Sequence, residues 1–180
     1  MQTATGGKFD FDNMQMADID IADIAIALSN ICRFNGHTKD GVFYSVAQHS
    51  VHVMEIVAKE DLRPRAQLTA LMHDAAEAYT QDITKPLREH IGSMHKKLET
   101  SVHSLIALKF GMYTSGPCLD AVKVADMACL AAESQQVMAP PPSPWHLPYP
   151  APAWLDIAPW PNTFARRRFL QEFTRLQQLL

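Results

Sequence analysis

The sequence predicts an all-α fold. Apolar residues recur at helical spacing in six segments, no segment alternates apolar and polar residues as a half-buried strand does, and no glycine-rich phosphate loop is present. The 180 residues, 47% of them hydrophobic, suffice for one well-packed domain and are too few for two of ordinary size. We therefore expect a single domain over residues 1–180.

The N-terminal third of the chain is predicted to hold two helices. The first covers residues 18–34, with Asp18 or Asp20 available as its N-cap. Residues 35–41 are rich in turn-forming residues and are predicted to form a loop. A second helix follows Ser45, whose side chain can cap it.

Three further helices are predicted in the middle of the chain. One runs over residues 65–82 as a single helix and ends before Pro86, because the residue before a proline is biased away from helix. Two more cover residues 90–110 and 117–136, where apolar residues again recur at helical spacing. All three carry the amphipathic pattern of helices that pack on a common core.

A proline-rich segment precedes the last predicted helix. Nine of the twelve prolines lie between Pro140 and Pro161, and all three tryptophans lie in the same stretch. Proline at this density excludes helix and central strand, and a disordered linker rarely contains so much tryptophan. We predict an ordered loop over residues 139–161 that packs on the domain, followed by a C-terminal helix over residues 163–180.

Composition excludes several classes of partner. A formal net charge of −3 gives no general electrostatic reason to bind a polynucleotide, and no stretch approaches the length of a membrane span. The N-terminus lacks the basic region and apolar core of a signal peptide.

The cysteines, Cys32, Cys118 and Cys129, fit reduced and buried thiols better than a disulfide framework. We expect a cytoplasmic protein.

The stretch "LMHDAAEAY" places a histidine and an aspartate, His73 and Asp74, side by side in an apolar run. Burying an unpaired carboxylate is costly, so this pair needs a compensating partner. His49 lies on the apolar side of the second helix, and Asp126 interrupts the apolar run "VKVADMACLAA". Each has an ordinary alternative, since a lone histidine is usually a surface or core residue and Asp126 could pair with a buried arginine or lysine.

Together these side chains supply two imidazoles and two carboxylates from three predicted helices. A mixed nitrogen and oxygen set suits manganese, iron, cobalt or zinc better than calcium, which prefers oxygen ligands alone. Such a set also leaves coordination positions open, which is the equipment for hydrolysis. The sequence therefore predicts a divalent metal site.

Further polar residues are predicted around this site. Glu77 lies one helical turn after the histidine of "LMHDAAEAY" and is placed to transfer a proton. Arg33, Lys85 and Arg88 can offer charge-assisted hydrogen bonds to phosphate. Asp82 is a weaker candidate, because an aspartate after a helix commonly has a turn-forming role.

The order of the predicted ligands resembles the H…HD…D pattern of the HD-domain metal-dependent phosphohydrolases. Three segments are similar to successive motifs of the small HD enzymes that act on deoxynucleotides, which include 5′-deoxynucleotidases and phage deoxynucleotide hydrolases. The resemblance covers roughly residues 18–135. The similar segments are "CRFNGHT…YSVAQHSVHV", "ALMHDAAEAYTQDITKPLR" and "KVADMACLAAE".

The resemblance implies a role for each matching residue. The four predicted ligands would bind one divalent ion, Mn, Co, Zn, Fe or Mg, that activates water for attack on phosphorus. Glu77 would assist proton transfer, Asp82 would matter for activity, and Arg33 would contact phosphate. Arg88 stands where relatives commonly have lysine. Phe34 stands where relatives often have a tryptophan whose bulk excludes a 2′-hydroxyl, so a preference for deoxyribose is implied.

The substrate and the assembly are also implied only in outline. The expected substrate is a deoxynucleoside monophosphate or a triphosphate, with dATP as one candidate, and the relatives form dimers or larger rings. A second enzymatic reading is hydrolysis of a cyclic dinucleotide or an alarmone, which would require a larger groove. A third is a non-catalytic helical module with a structural ion, although structural zinc sites are usually rich in cysteine.

Overall fold

The computed structural model describes residues 1–180 and confirms the all-α prediction. It contains eight α-helices and no β-strand, only two isolated β-bridges. Its helices are α1 (Ile21–Asn30), α2 (Val46–Glu60), α3 (Pro64–Leu71), α4 (Glu77–Thr80), α5 (Lys85–Ile91), α6 (Ser93–Phe110), α7 (Pro117–Gln136) and α8 (Asn162–Gln177). None of these helices is both long enough and apolar enough to cross a membrane.

Helix α2 forms the centre of the domain. Every residue from 44 to 54 is buried, and α2 packs against α1, α3, α7 and α8. A helix that is buried on all sides must satisfy its polar side chains internally. The buried polar residues Gln48, His49 and His52 therefore mark the places where α2 contacts other polar groups.

Two predicted helix starts are confirmed by side-chain caps. The carboxylate of Asp20 accepts a hydrogen bond from the backbone N–H of Ala22, and the hydroxyl of Ser45 accepts one from Gln48. The predicted end of the first helix at residue 34 is wrong, because α1 stops at Asn30 and the chain then forms an antiparallel bridge from Cys32 to Ser45. The predicted loop over residues 35–41 contains two 3₁₀ turns.

The single helix predicted over residues 65–82 is also wrong. Helix α3 ends at Leu71, and a tight turn over residues 72–76 separates it from α4. The His73 Nδ1 atom lies 2.8 Å from the Ala70 carbonyl oxygen, which an uninterrupted helix would offer to the backbone N–H of Asp74. This side-chain contact competes with the regular backbone bond and accompanies the break in the helix.

The predictions for the next two segments fail at their boundaries. Helix α4 ends because Gln81 adopts a left-handed conformation with φ +71°, whereas Pro86 lies inside the first turn of α5. Gly92, with φ +91°, divides the predicted helix over residues 90–110 into α5 and α6. The predicted helix over residues 117–136 coincides with α7.

The proline-rich segment contains no helix or strand between residues 139 and 161. Its second half is anchored by the fully buried Gln48, which accepts a hydrogen bond from the Trp160 N–H at 2.9 Å and donates one to the Ala158 carbonyl at 2.8 Å. Trp145, in the first half, is 41% exposed. Tertiary hydrogen bonds therefore hold the end of this segment against the central helix.

Candidate metal centre

The four predicted metal ligands lie together in the structure. His49 Nε2 is 3.1 Å from Asp126 Oδ1 and 3.5 Å from Asp74 Oδ2. His73 Nε2 is 3.1 Å from Asp74 Oδ2 and 3.9 Å from Asp126 Oδ1. We call these four residues the His–Asp cluster.

Three different elements supply the cluster. His49 comes from the first turns of the central helix α2, and Asp126 comes from the middle of α7, which packs against it. His73 and Asp74 come from the tight turn after α3, where the interrupted helix lets both side chains reach one point. The break that sequence periodicity did not predict therefore forms part of the site.

The imidazole nitrogens are arranged as metal ligands require. His73 Nδ1 can only donate to the Ala70 carbonyl, and His49 Nδ1 lies 2.6 Å from a carboxylate oxygen of Glu133. When each ring is neutral, its proton therefore lies on Nδ1, and the Nε2 lone pair is directed into the cluster. Both Nε2 atoms are buried and have no hydrogen-bond partner. Carboxylate oxygens lie 3.1 Å away, but their positions do not satisfy the geometry of a hydrogen bond.

This donor set fits a divalent metal ion. The ligand atoms of His49, His73 and Asp74 all lie within 4.8 Å of one another, and Asp126 Oδ1 lies 3.1 and 3.9 Å from the two Nε2 atoms. Each imidazole is oriented through its other nitrogen, as is usual for metal-ligating histidines. The Asp74 and Asp126 side chains are 22% and 35% exposed, so the cluster is open to solvent on the carboxylate side. The cluster can hold an ion and still admit a small molecule.

The electrostatic field of the cluster also favours a cation. Burial lowers the pKa of His73, but the carboxylates of Asp74 and Asp126 outweigh it, so the pKa lies above its ordinary value. Burial raises the pKa of Asp74, yet His73, His49 and Arg33 hold it well below the usual range for a carboxyl group. Both shifts stabilise positive charge beside ionised carboxylates.

Glu77 lies next to the cluster at the start of α4. Its backbone N–H donates to the Asp74 carbonyl at 2.9 Å, its side chain is 4% exposed, and its Oε2 atom has no hydrogen-bond partner. Burial, with Asp74 and Asp82 nearby, raises the pKa of this carboxyl well above its ordinary value. A buried carboxyl with a raised pKa is suited to take up and release a proton.

Arg33 lies between the cluster and the aromatic residue that follows it. Its Nη1 atom is 3.9 Å from Asp74 Oδ2, and its guanidinium lies 5.2 Å from the centre of the Phe34 ring. Phe34 has the left-handed backbone conformation, with φ +57°. The Trp145 ring lies 6.4 Å from the Phe34 ring, so the proline-rich segment reaches this side of the site.

The remaining predicted phosphate ligands are placed less directly. The Lys85 side chain is 86% exposed and its Nζ atom is 3.9 Å from Glu89, so the structure does not bring it into the cluster. Arg88 donates to the Ile83 carbonyl at 2.9 Å. Asp82 is half-buried, and burial raises its pKa while Arg33 lowers it.

Comparison with known proteins places the chain among its relatives. No protein-family model matches it. It is 37% identical over 183 aligned residues to the uncharacterized protein YfdR of Escherichia coli, with 99% of this chain and 96% of the relative covered. The chain belongs to the YfdR family. It is also 33% identical over 137 residues to the uncharacterized protein RCAP_rcc00048 of Rhodobacter capsulatus, with 74% of this chain and 70% of the relative covered.

Sequence reasoning missed one residue of this YfdR-family site. Glu133 is completely buried behind the cluster and contacts Arg33, Tyr44, His49 and Cys129. A signal for it exists, because Glu133 follows Asp126 by seven residues and therefore lies two turns later on the same face of α7. An acid at this spacing in "CLAAE" could have been identified as a second inward-facing carboxylate.

A second group of close ligand atoms, from His49, Cys129 and Glu133, does not have the character of another metal site. Burial and the Glu133 carboxylate raise the pKa of the Cys129 thiol to about 11, so the sulfur keeps its proton at neutral pH. The Glu133 oxygens already accept hydrogen bonds from Arg33 and Tyr44. This group is a hydrogen-bonded support for the His–Asp cluster.

A cavity of about 430 Å³ lies where the end of α7 meets the start of the proline-rich segment. Lys39, Gln135, Met138 and Trp145 are among its lining residues. Trp145 lines this cavity, and its ring lies 6.4 Å from the Phe34 ring at an interplanar angle of 56°. One wall of the cavity is therefore close to the residue that follows Arg33. The cavity offers both a flat aromatic surface and polar side chains to a ligand.

Proposed function

We propose that this YfdR-family protein is a metal-dependent phosphohydrolase that acts on deoxynucleotides. The observation that carries the proposal is the convergence of His49, His73, Asp74 and Asp126 on one point, with unpartnered imidazole nitrogens facing the carboxylates. The resemblance of its three motifs to HD-domain enzymes supports the same reaction class. The cytoplasmic location of the protein and its assembly into a homo-oligomer remain predictions.

The residues of the cluster would hold a divalent ion, of the manganese, cobalt, zinc, iron or magnesium kind. Such an ion, when bound, acidifies water and polarises a phosphoryl oxygen. The exposed carboxylate side of the cluster gives a phosphate group access to this position. The buried imidazoles hold the opposite side closed to solvent.

The surrounding residues would handle protons and phosphate. Glu77 has a buried, unpartnered carboxyl oxygen that can accept a proton from water or return one to the leaving oxygen. The Nη1 group of Arg33 points toward the cluster and can donate a hydrogen bond to a phosphate oxygen. The charge of Asp82 interacts with Arg33 and would help to keep this guanidinium near the phosphate position.

The aromatic residues would select the nucleoside. Phe34 follows Arg33 directly, so a sugar attached to a phosphate on Arg33 would meet the Phe34 ring. Its bulk would disfavour a 2′-hydroxyl, and Trp145 would offer a stacking surface to the base. The proposed substrate is a deoxynucleoside monophosphate or triphosphate, dATP among them.

The proposal is tested by product release from a nucleotide panel. The protein is stripped of metal with a chelator, reloaded with Mn²⁺, Co²⁺, Zn²⁺ or Mg²⁺, and incubated with dNMPs, NMPs and dNTPs while phosphate and triphosphate are quantified. Ion-dependent release from deoxynucleotides, absent in Asp74→Ala, is expected. If the reloaded wild-type protein releases neither product from any nucleotide, the proposal is wrong.

A further inference from the structure

We propose that Glu133 is a positioning residue that orients both His49 for metal binding and Arg33 for phosphate binding. The inference rests on the proposed metal-dependent function, and it assigns a role to a residue outside the H…HD…D pattern. One carboxylate at the back of the site would then couple the ion-binding side chain to the anion-binding side chain.

Glu133 is surrounded by hydrogen-bond donors. Its Oε1 atom lies 2.6 Å from His49 Nδ1 and accepts from the Tyr44 hydroxyl at 2.9 Å, with the Cys129 thiol at 3.6 Å. Its Oε2 atom accepts from Arg33 Nη2 at 2.9 Å and from Arg33 Nε at 3.3 Å. A fully buried acid whose neighbours all donate is held as the ionised carboxylate, which has only acceptor capacity.

The acceptor character of Glu133 determines the tautomer of His49. Because a carboxylate can only accept, the proton of a neutral His49 must lie on Nδ1. The lone pair then lies on Nε2, the atom that faces Asp74 and Asp126. In the opposite tautomer, Nε2 would carry a proton into the space between the proposed ligands and could not bind a metal.

The same carboxylate restrains Arg33. Two of the guanidinium donors are used by Glu133, and Nη1 is left at 3.9 Å from Asp74. Without its partner, the buried guanidinium would be an uncompensated charge and would be drawn to the nearest carboxylate, Asp74. Glu133 therefore keeps the arginine near the cluster without letting it occupy a proposed metal ligand.

The test replaces Glu133 with its isosteric amide. In Glu133→Gln the side chain keeps its shape, but its NH₂ group must oppose one of the donors that now surround the carboxylate. Mn²⁺ titration of the chelator-treated full-length protein by calorimetry, without nucleotide, is expected to show an affinity roughly 10- to 100-fold lower than wild type. Tyr44→Phe removes a donor to the same Oε1 atom and leaves both proposed bonds, so its affinity should stay close to wild type.

A second measurement keeps the inference testable if Glu133→Gln does not fold. In metal-free wild-type protein with ¹⁵N-labelled histidine, at a pH high enough to keep the His49 ring neutral, the ¹⁵N shifts of His49 should report a proton on Nδ1 and an unprotonated Nε2. A neutral His49 ring with its proton on Nε2, or a folded Glu133→Gln with unchanged Mn²⁺ affinity, would overturn the role assigned at His49.

The role of Glu133 in positioning Arg33 is tested separately, by phosphate binding. Binding of inorganic phosphate to the Mn²⁺-loaded protein should weaken in Glu133→Gln more than in Tyr44→Phe, and unchanged phosphate affinity would overturn this half. If wild-type protein binds none of the divalent ions, the proposed function fails instead. The His49 tautomer then still decides whether Glu133 positions the ring.

Discussion

The Nε2 atom of His49 lies 3.1 Å from the Oδ1 atom of Asp126, without the geometry of a hydrogen bond. The two residues come from the buried start of α2 and the middle of α7, which are distant in sequence. A lone pair and a carboxylate at this separation repel unless a proton or a cation lies between them. This relationship is the basis for predicting an ion at the site.

Removing the charge of Asp126 should weaken metal binding. Asp126→Asn keeps the side-chain volume but takes away one of the two carboxylates that balance the ion. Mn²⁺ affinity, measured by calorimetry, should fall by more than the roughly 10- to 100-fold that loss of an outer partner costs. Asp120→Asn, an exposed position on the same helix, is the matched control and should bind like wild type.

Glu77→Gln should separate metal binding from turnover. The amide preserves the volume of a buried side chain but cannot exchange a proton, so Mn²⁺ affinity should remain while kcat falls by about 10²- to 10⁴-fold. Glu60→Gln, at the exposed end of α2, controls for the loss of an acid. Undiminished kcat in Glu77→Gln would remove Glu77 from the reaction.

Phe34→Ala should narrow the difference between deoxyribonucleotides and ribonucleotides. The proposed exclusion of the 2′-hydroxyl depends on ring bulk next to Arg33, so the ratio of the two kcat/KM values should move toward one. Phe43→Ala removes a partly exposed phenylalanine from the following loop and serves as the control. An unchanged ratio would mean that the sugar is recognised elsewhere.

Trp145→Ala should weaken binding of the nucleobase. Stacking of a base on an aromatic ring contributes about 1–3 kcal/mol, which corresponds to a rise of roughly 5- to 160-fold in KM with little change in kcat. Trp154→Ala is the matched control, since Trp154 belongs to the same segment and its ring lies 5.0 Å from Lys59. Equal KM values for both variants would argue against a base site at Trp145.

Gln48→Leu should release the end of the proline-rich segment. The substitution leaves the Trp160 N–H and the Ala158 carbonyl without their partners, which should lower the free energy of unfolding by about 1–3 kcal/mol. Urea denaturation measures the loss, and limited proteolysis should cleave residues 140–161 faster. Gln135→Leu, at an exposed position, should change neither result.

Long regular helices were predictable from the sequence, whereas the local interruption at the site was not. The apolar spacing of α7 and the Ser45 cap of α2 are properties of a single segment, so the pattern alone indicates them. The break at residues 72–76 accompanies a contact of the His73 ring with the Ala70 carbonyl. Apolar periodicity carries no information about that contact.

The proposed ligands were predictable because their chemistry is out of place. His49, Asp74 and Asp126 interrupt apolar runs, so each demands a partner, and the structure brings them together. Glu133 has the same property, but it lies near the end of α7, where an acid is ordinarily a surface residue. Lys85 shows the opposite case, because its position in the sequence does not reveal that its side chain faces solvent.

Metal binding by the His–Asp cluster can be tested by anomalous X-ray diffraction from crystals of the wild-type protein loaded with Mn²⁺ or Co²⁺. One strong anomalous peak is expected, bounded by His49 Nε2, His73 Nε2 and the carboxylates of Asp74 and Asp126. A peak at the His49, Cys129 and Glu133 group, or no peak within reach of the His–Asp cluster, would contradict it.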